Sequence, residues 1–455
     1  MLSKSPILNR EDTLIIFTYA NVGFGHLRVT DALSNELKNN SNSIFLSGED
    51  KIVSFFHRIT SIHPILTSVF VWLQSGKQEN VMTYFYRNLL FLTARKLEKK
   101  LIDEINKAKN PVKRVVIVAT HFSLAHQIAR IREKIEKETN IQLFLFVQVT
   151  DDSPQHMWCV FGSDLIFVPS IKTKKALLLY SVKKGASPVN IKVIPYPIGY
   201  KLATKLTEEG YKKRLNQFDP KSKELIRIAI PISGAAVGMK YFIDFVTNLP
   251  IYIDRCNFHI ILKKTPYTSL FINLFRKYSF VHLYWFKKDI EVIDGYEKEY
   301  KKITFGYEVT KPSEQAFKSL IGTDRVGGSI LLLTNPVGRQ EYDNLNFLRR
   351  LNLIANFEDQ KFLWQASINN LKLDNERGRD ILKKACLWRG IRLFKDPIKS
   401  VILIEWCLKQ GVFKEMGNRI IDSEKDKLKN SQVRPDGVKQ FWQSVEEYLK
   451  DYKKD

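Results

Sequence analysis

Short β-rich apolar runs alternate with amphipathic helical stretches along this 455-residue chain, and the alternation occurs in two separate series. Such a pattern leaves few folds open, because parallel strands must be joined by crossover helices packed on both faces of a sheet. Leu14 to Tyr19 reads as a strand, Asn21 to Gly25 as a Gly-containing loop, and the stretch from His26 as a helix with Leu27, Ala32, Leu33 and Leu37 at helical spacing. Val115 to Ala119, Leu143 to Val149 and Leu165 to Val168 repeat the strand signal, and Ile191 to Ile194 runs into Pro195 and Pro197. Lys201 to Lys223 is polar and charged, the composition of an interdomain linker. A second series then opens with Ile226 to Ile230 and the loop Ser233 to Gly238, and continues with strands at Phe258 to Leu262 and Ser329 to Thr334. Beyond about residue 370 the pattern turns helical, and Val438, Phe441, Trp442, Val445, Tyr448 and Leu449 form one apolar face near the end. The expectation is an α/β protein with two Rossmann-like domains, residues 1–200 and 201–370, facing a cleft, and a C-terminal helical extension over 371–455.

Composition narrows the function classes. With 72 Lys and Arg against 48 Asp and Glu, the net charge of +24 attracts phosphate in any form: nucleic acid, anionic lipid or nucleotide. No helix-turn-helix, zinc-finger or RNP-like motif occurs and the lysines are spread along the chain, which argues against a nucleic-acid partner. The four cysteines, Cys159, Cys256, Cys386 and Cys407, lie far apart with no C-x-x-C pair, which fits a reducing compartment and argues against a zinc site. The early apolar run Leu14 to Phe17 is too short for a signal peptide, and no stretch reaches the roughly eighteen apolar residues of a spanning helix. A cytoplasmic protein is expected.

Four constellations could carry chemistry. The first strand-to-helix turn holds Gly23, Gly25 and His26, where glycines let the backbone approach a ligand and the imidazole projects from the helix start. His121 follows the Val115 to Ala119 strand. The end of the Leu143 to Val149 strand is loaded with Thr150, Asp151, Asp152, His156 and Trp158, polar groups that are costly to bury unless they line a cavity or cap a helix. Lys311, Pro312, Ser313 and Glu314 form the third group, and Asn335 to Leu348, with Gln340 and Glu341, the fourth. A carboxylate such as Glu314 can hold both hydroxyls of a ribose, while Lys311 and nearby helix N-termini suit a diphosphate. Each group taken alone reads equally as a helix cap or a solvated turn.

In their order along the chain the four segments resemble those of the GT-B lipid-linked glycosyltransferases. These include monogalactosyldiacylglycerol synthase, the diacylglycerol glucosyltransferases and the N-acetylglucosaminyl transferase of peptidoglycan assembly. A Gly-rich loop with His, a V-T-D…H…W segment before an aspartate-to-VPS strand, a T-K-P…S-E segment and a G-Q-E-x-x-N-x-x-F-L segment mark that group. The matching residues here are Gly25–His26, Val149–Asp151 with His156 and Trp158, Asp164 to Ser170, Thr310 to Glu314, and a variant Gly338-Arg339-Gln340-Glu341. The resemblance implies His26 or Asp151 as general base, with Gly25, His121, His156 and Trp158 on the acceptor side. It implies Ser233, Gly234, Lys311, Ser313, Glu314, Gln340 and Glu341 as donor-binding residues, and neither metal nor cofactor beyond a nucleotide-sugar substrate, with a UDP-sugar expected. Two departures stand out. Pro312 runs straight into Ser313 where the group has a second glycine-rich stretch, and the loop Ser233 to Ala236 is glycine-poor.

Residues 52 to 97 mix aromatic and apolar side chains with basic ones, and Phe70 and Trp72 are the expected membrane-docking residues. Aromatic core helices would give the same composition. The expected function is inverting transfer of a sugar to a membrane lipid by a protein held peripherally at the inner face of the cell membrane. Two alternatives share the fold: a nucleotide-sugar epimerase or hydrolase, and a non-catalytic basic binding protein.

Overall fold

A computed structural model describes residues 7–20, 24–37, 43–48, 72, 76, 78–108, 110–184, 189–232, 238–419 and 432–452. The chain forms two compact units. The first comprises 1–199, 338–340 and 435–455, and the second 200–337 and 341–434.

The first unit is built on six parallel strands: β1 (Thr13–Ala20), β2 (Ser43–Gly48), β3 (Arg114–Ala119), β4 (Gln142–Gln148), β5 (Leu165–Val168) and β6 (Ile191–Val193), in the order β2-β1-β3-β4-β5-β6. Ile16 pairs with Ile44 on one side and Ile117 on the other. Strands β1 and β3 are buried along nearly their whole length, because helices cover both faces of a parallel sheet. Their Ile, Val and Leu side chains pack with Leu97, Leu101 and Ile105 of the long helix Gln78–Asn106 and with Ile128 and Ile135 of the helix Phe122–Thr139.

The second unit holds β7 (Ile226–Ile232), β8 (Cys256–Lys263), β9 (Val281–Phe286), β10 (Tyr307–Thr310), β11 (Ile330–Leu333) and β12 (Gly390–Arg392), again all parallel, in the order β12-β11-β10-β7-β8-β9. Both sheets are therefore of the doubly wound, Rossmann-like kind. Each has one point where successive strands leave in opposite directions: between β1 and β3 in the first sheet and between β7 and β10 in the second. Ligands of open α/β sheets bind at the carboxyl ends of strands at such points.

The carboxyl-terminal part differs from the expected extension. Residues 371–434 belong to the second unit, where β12 pairs with β11 and the helix Pro397–Lys409 packs Val401 and Leu403 into the core. The last helix, Gly437–Asp451, belongs to the first unit. Its Trp442 lies edge-on to Phe17 and donates its indole N–H to the Leu33 carbonyl at 3.0 Å, and Phe441 meets Phe167 at 4.5 Å. A Cβ on Gly437 would sit 2.2 Å from the Pro195 carbonyl oxygen, so only glycine admits this close approach. The polar stretch expected as a linker, Lys201 to Lys223, contains the helix Glu208–Phe218. Arg214 in it is fully buried and donates to the carbonyls of Phe305, Thr323 and Val326.

Candidate functional sites at the two strand switch points

At the first switch point His26 lies in the opening turn of the helix Gly25–Asn35, directly after Gly25, and its Nδ1 is 2.6 Å from the carbonyl oxygen of Thr120 at the end of β3. A carbonyl oxygen can only accept. The hydrogen therefore sits on Nδ1, and in the neutral ring Nε2 is the nitrogen with the lone pair. Three threonines hold this arrangement. Thr30 donates to the His26 carbonyl at 2.8 Å, the Thr30 and Thr120 hydroxyls are 2.8 Å apart, and Thr150 Oγ1 lies 3.2 Å from Nδ1. Thr150 is itself fixed through its carbonyl, which accepts from the Tyr196 hydroxyl at 3.1 Å. The His121 ring stands edge-on to His26 at 4.7 Å and stacks on Phe122 at 4.6 Å. Trp158 is fully buried, 6.4 Å from the His26 ring. His26, His121 and Trp158 thus form one cluster with the β3 and β4 strand ends.

Asp151 and His156 have other immediate surroundings. Asp151 is buried and accepts the Ser153 backbone N–H at 2.9 Å, closing a tight turn. Its neighbour Asp152, also buried, accepts from the hydroxyls of Ser170 and Thr173 and so ties β4 to the helix Ile171–Lys183. His156 stacks on Tyr180 at 4.0 Å, with its backbone N–H on Glu79 at 2.8 Å. Burial, then the cations of Arg339 and Arg87, pull its pKa down to about 4, so the ring is neutral at physiological pH. Arg87 braces this wall by donating to the carbonyls of His156 at 2.9 Å and Cys159 at 2.8 Å. His126, absent from the sequence-based candidates, is buried beside them with Nε2 2.9 Å from the Met157 carbonyl, and burial brings its pKa to about 3.

At the second switch point the site is made of charges. Lys311 follows β10, and Glu314 opens the 3₁₀ helix Glu314–Leu320. Glu341 accepts the Val337 backbone N–H at 2.8 Å. Burial lowers the Lys311 pKa against the pull of Glu341 and Glu314, and burial raises that of Glu341 against the pull of Lys311. Lys311, Glu314 and Glu341 are therefore one interacting set. Ser313 precedes the 3₁₀ helix, and the Pro312 carbonyl accepts from Asn344 at 3.2 Å. Gln340 does not join this set: it groups with the first unit, where its amide is 3.5 Å from Gln155 Oε1. Ser233, Gly234 and Phe70 lie outside the described residues, and Trp72 is exposed.

One cluster escaped the sequence reading. Lys318 on the 3₁₀ helix donates to Glu308 Oε2 at 2.6 Å, Tyr296 at 2.6 Å and Tyr300 at 2.8 Å, all of them buried. A carboxylate inside a strand, between Tyr307 and Val309, is the signal that could have found it, since a buried charge needs a partner.

No protein-family model matches the chain, and no curated protein matches it. Among solved structures it is similar to the UDP co-structure of S. aureus MnaA, with 9% identity over 96% of each chain and a TM-score of 0.44. Acinetobacter baumannii MurG gives 9% identity over 96% of this chain and 99% of that one, with a TM-score of 0.42. Arabidopsis thaliana UGT89C1 complexed with UDP-L-rhamnose gives 9% identity over 94% and 98%, with a TM-score of 0.45. Likeness this distant assigns no function.

Proposed function

We propose that this protein is a GT-B glycosyltransferase that moves a sugar, with inversion, from a uridine diphosphate sugar to the hydroxyl of a membrane lipid. The observation that carries the reading is the orientation of His26. Its Nδ1–H is committed to the Thr120 carbonyl, so Nε2 is the basic nitrogen, at the strand switch point where a ligand is expected. In the proposed step Nε2 takes the proton of the acceptor hydroxyl as its oxygen attacks the anomeric carbon. The bond from that carbon to the diphosphate oxygen breaks on the opposite face, and the electron pair leaves with the nucleotide. Glu314 holds the ribose hydroxyls, Lys311 faces the diphosphate, and Glu341 addresses the sugar.

The lipid acceptor is supported by the outer face of the helix Gln78–Asn106. Val81, Tyr84, Phe85, Leu89 and Leu92 are exposed on it, and Arg95, Lys96, Lys99 and Lys100 continue the same face. Apolar insertion next to a basic stretch is what peripheral docking on an anionic leaflet requires. Among the described residues no helix is long and apolar enough to cross a membrane.

Calorimetric titration with UDP, GDP and dTDP tests the donor, and flotation with neutral and anionic vesicles tests the surface. Saturable binding of UDP over the other two, and capture by anionic vesicles that Phe85→Ser with Leu92→Ser abolishes, is the expected result. A folded protein that binds none of the nucleotides overturns the transferase reading. Capture unchanged in the double variant removes the lipid.

A further inference from the structure

A buried ion pair closes the segment that carries the charged set of the second unit. Glu308 lies inside β10 and Lys318 on the 3₁₀ helix Glu314–Leu320, ten residues apart in sequence, with Nζ 2.6 Å from Oε2. Between them run Lys311, Pro312, Ser313 and Glu314. The Lys318 side chain is 4% exposed and that of Glu308 0%. Helix Asp289–Lys302 completes the network, since the hydroxyls of its Tyr296 and Tyr300 both donate to Glu308 Oε2. Each hydroxyl also accepts from Lys318, at 2.6 and 2.8 Å. The three ammonium hydrogens of Lys318 thus meet three oxygens. Burial, then the charge of Glu308, pushes the Tyr300 pKa up, which keeps that hydroxyl a donor.

Stability alone does not account for this network. Exchanging a buried ion pair for apolar side chains of similar volume is often neutral or stabilising, because desolvation offsets the attraction. Position accounts for it. A 3₁₀ helix is held poorly by its own hydrogen bonds and seldom exceeds three or four residues, whereas this one has seven. Ser313, just before it, supplies no side-chain cap. Apolar contact sets its depth, with Phe317 buried 5.2 Å from the Phe347 ring, but such contact is non-directional. The hydrogen bonds of Lys318 are directional and reach two other elements, β10 and the helix Asp289–Lys302, so they set rotation and register. Glu314 stands one turn before Lys318, about 8 Å along a 3₁₀ axis, and Lys311 directly follows the strand that holds Glu308.

We infer that Lys318 and Glu308, with Tyr296 and Tyr300, are positioning residues for Glu314, and through it set the affinity for the nucleotide without touching it. The inference rests on the reading of Glu314 as the ribose-holding carboxylate. A carboxylate that must meet two hydroxyls at once loses both bonds when the turn carrying it slides or rotates.

Calorimetric titration of the full chain with UDP tests it. Lys318→Met with Glu308→Leu removes the pair and leaves no charge buried alone. That double variant should melt within a few degrees of wild type and bind UDP about tenfold more weakly. Leu403→Ala, in the core of the same unit, should lower the melting temperature and leave UDP affinity unchanged, which separates positioning from a general loss of stability. Adding Glu314→Ala to the double variant should cost little further affinity, because residues that act through one another are not additive. Should the double variant not fold, Tyr300→Phe takes one hydroxyl from both Glu308 and Lys318. It should weaken UDP binding about threefold, again with little further loss when Glu314→Ala is added. A folded variant with wild-type affinity, or losses that add, overturns the positioning role while the nucleotide reading stands. Wild type that binds no UDP overturns the nucleotide reading, and the positioning role falls with it.

Discussion

The two switch points are equivalent in topology and opposite in chemistry. In the first unit the Thr120 carbonyl fixes the hydrogen of His26 on Nδ1, with the Thr150 hydroxyl beside it. In the second unit burial lowers the pKa of Lys311 and raises that of Glu341, each against the pull of the other's charge. An imidazole whose Nδ1–H is fixed is suited to moving a proton at Nε2, and a set of half-buried charges to holding a polyanion and its hydroxyls. Under the proposed function, the same sheet geometry carries a reacting end and a holding end through the choice of side chains at the strand tips.

The largest effect expected from breaking this division is at His26. His26→Ala should slow transfer on the order of a hundredfold or more while nucleotide affinity, measured by calorimetry, stays as in wild type. Full turnover in the variant would move the base to Asp151. Glu314→Ala should do the reverse and weaken nucleotide binding by on the order of 1.5–3 kcal/mol, with Kd as the readout. Equal affinities would remove Glu314 from the site.

Acid should cost both units stability, because each buries a neutral histidine, and the first unit should lose more, since His156 is held neutral there as well. His126 and His259 both have pKa values brought to about 3 by burial, from an ordinary value of 6.5. Their folded pKa values are depressed, so the unfolded chain binds more protons. Stability is therefore full above about pH 6.5 and is lost as pH falls toward 3. Thermal unfolding at pH 7 and pH 5 should show a loss of about 2 kcal/mol per histidine. His126→Gln keeps a donor for the Met157 carbonyl and should remove one share of that loss. An unchanged pH dependence in this variant would show that His126 does not titrate on unfolding. The smallest effect is Thr150→Val, which removes the hydroxyl beside His26 Nδ1. Turnover should fall about fivefold, for about 1 kcal/mol, and no change would leave the Thr120 carbonyl as the sole anchor.

Much of this site was legible in the chain. Uninterrupted β-branched and apolar runs gave β1, β3, β4, β5 and β7, and the residues just past them, His26, His121, Thr150 and Lys311, follow from the rule that ligands meet strand ends. Glu308 and Lys318 were not read, because their ten-residue separation says nothing of contact until the 3₁₀ helix folds back over β10.

The sequence by itself determined the α/β class, the position of most strands and the polar groups at their tips, because these rest on local periodicity and on the cost of burying charge. Only the tertiary structure decided the rest. β2, with Ile44, Phe45 and Leu46 as its only large apolar residues, and β12, three residues long, have too little periodicity to read and exist through pairing with β1 and β11. Arg214 reads as linker charge and is buried, because carbonyls distant in sequence converge on it. The final helix shows its apolar face in the sequence, but nothing local says which sheet it covers. That was settled by Phe17, Leu33 and Phe167, more than 270 residues away, and by the absence of a side chain at Gly437. Contacts of that span leave no local pattern, and packing alone selects them.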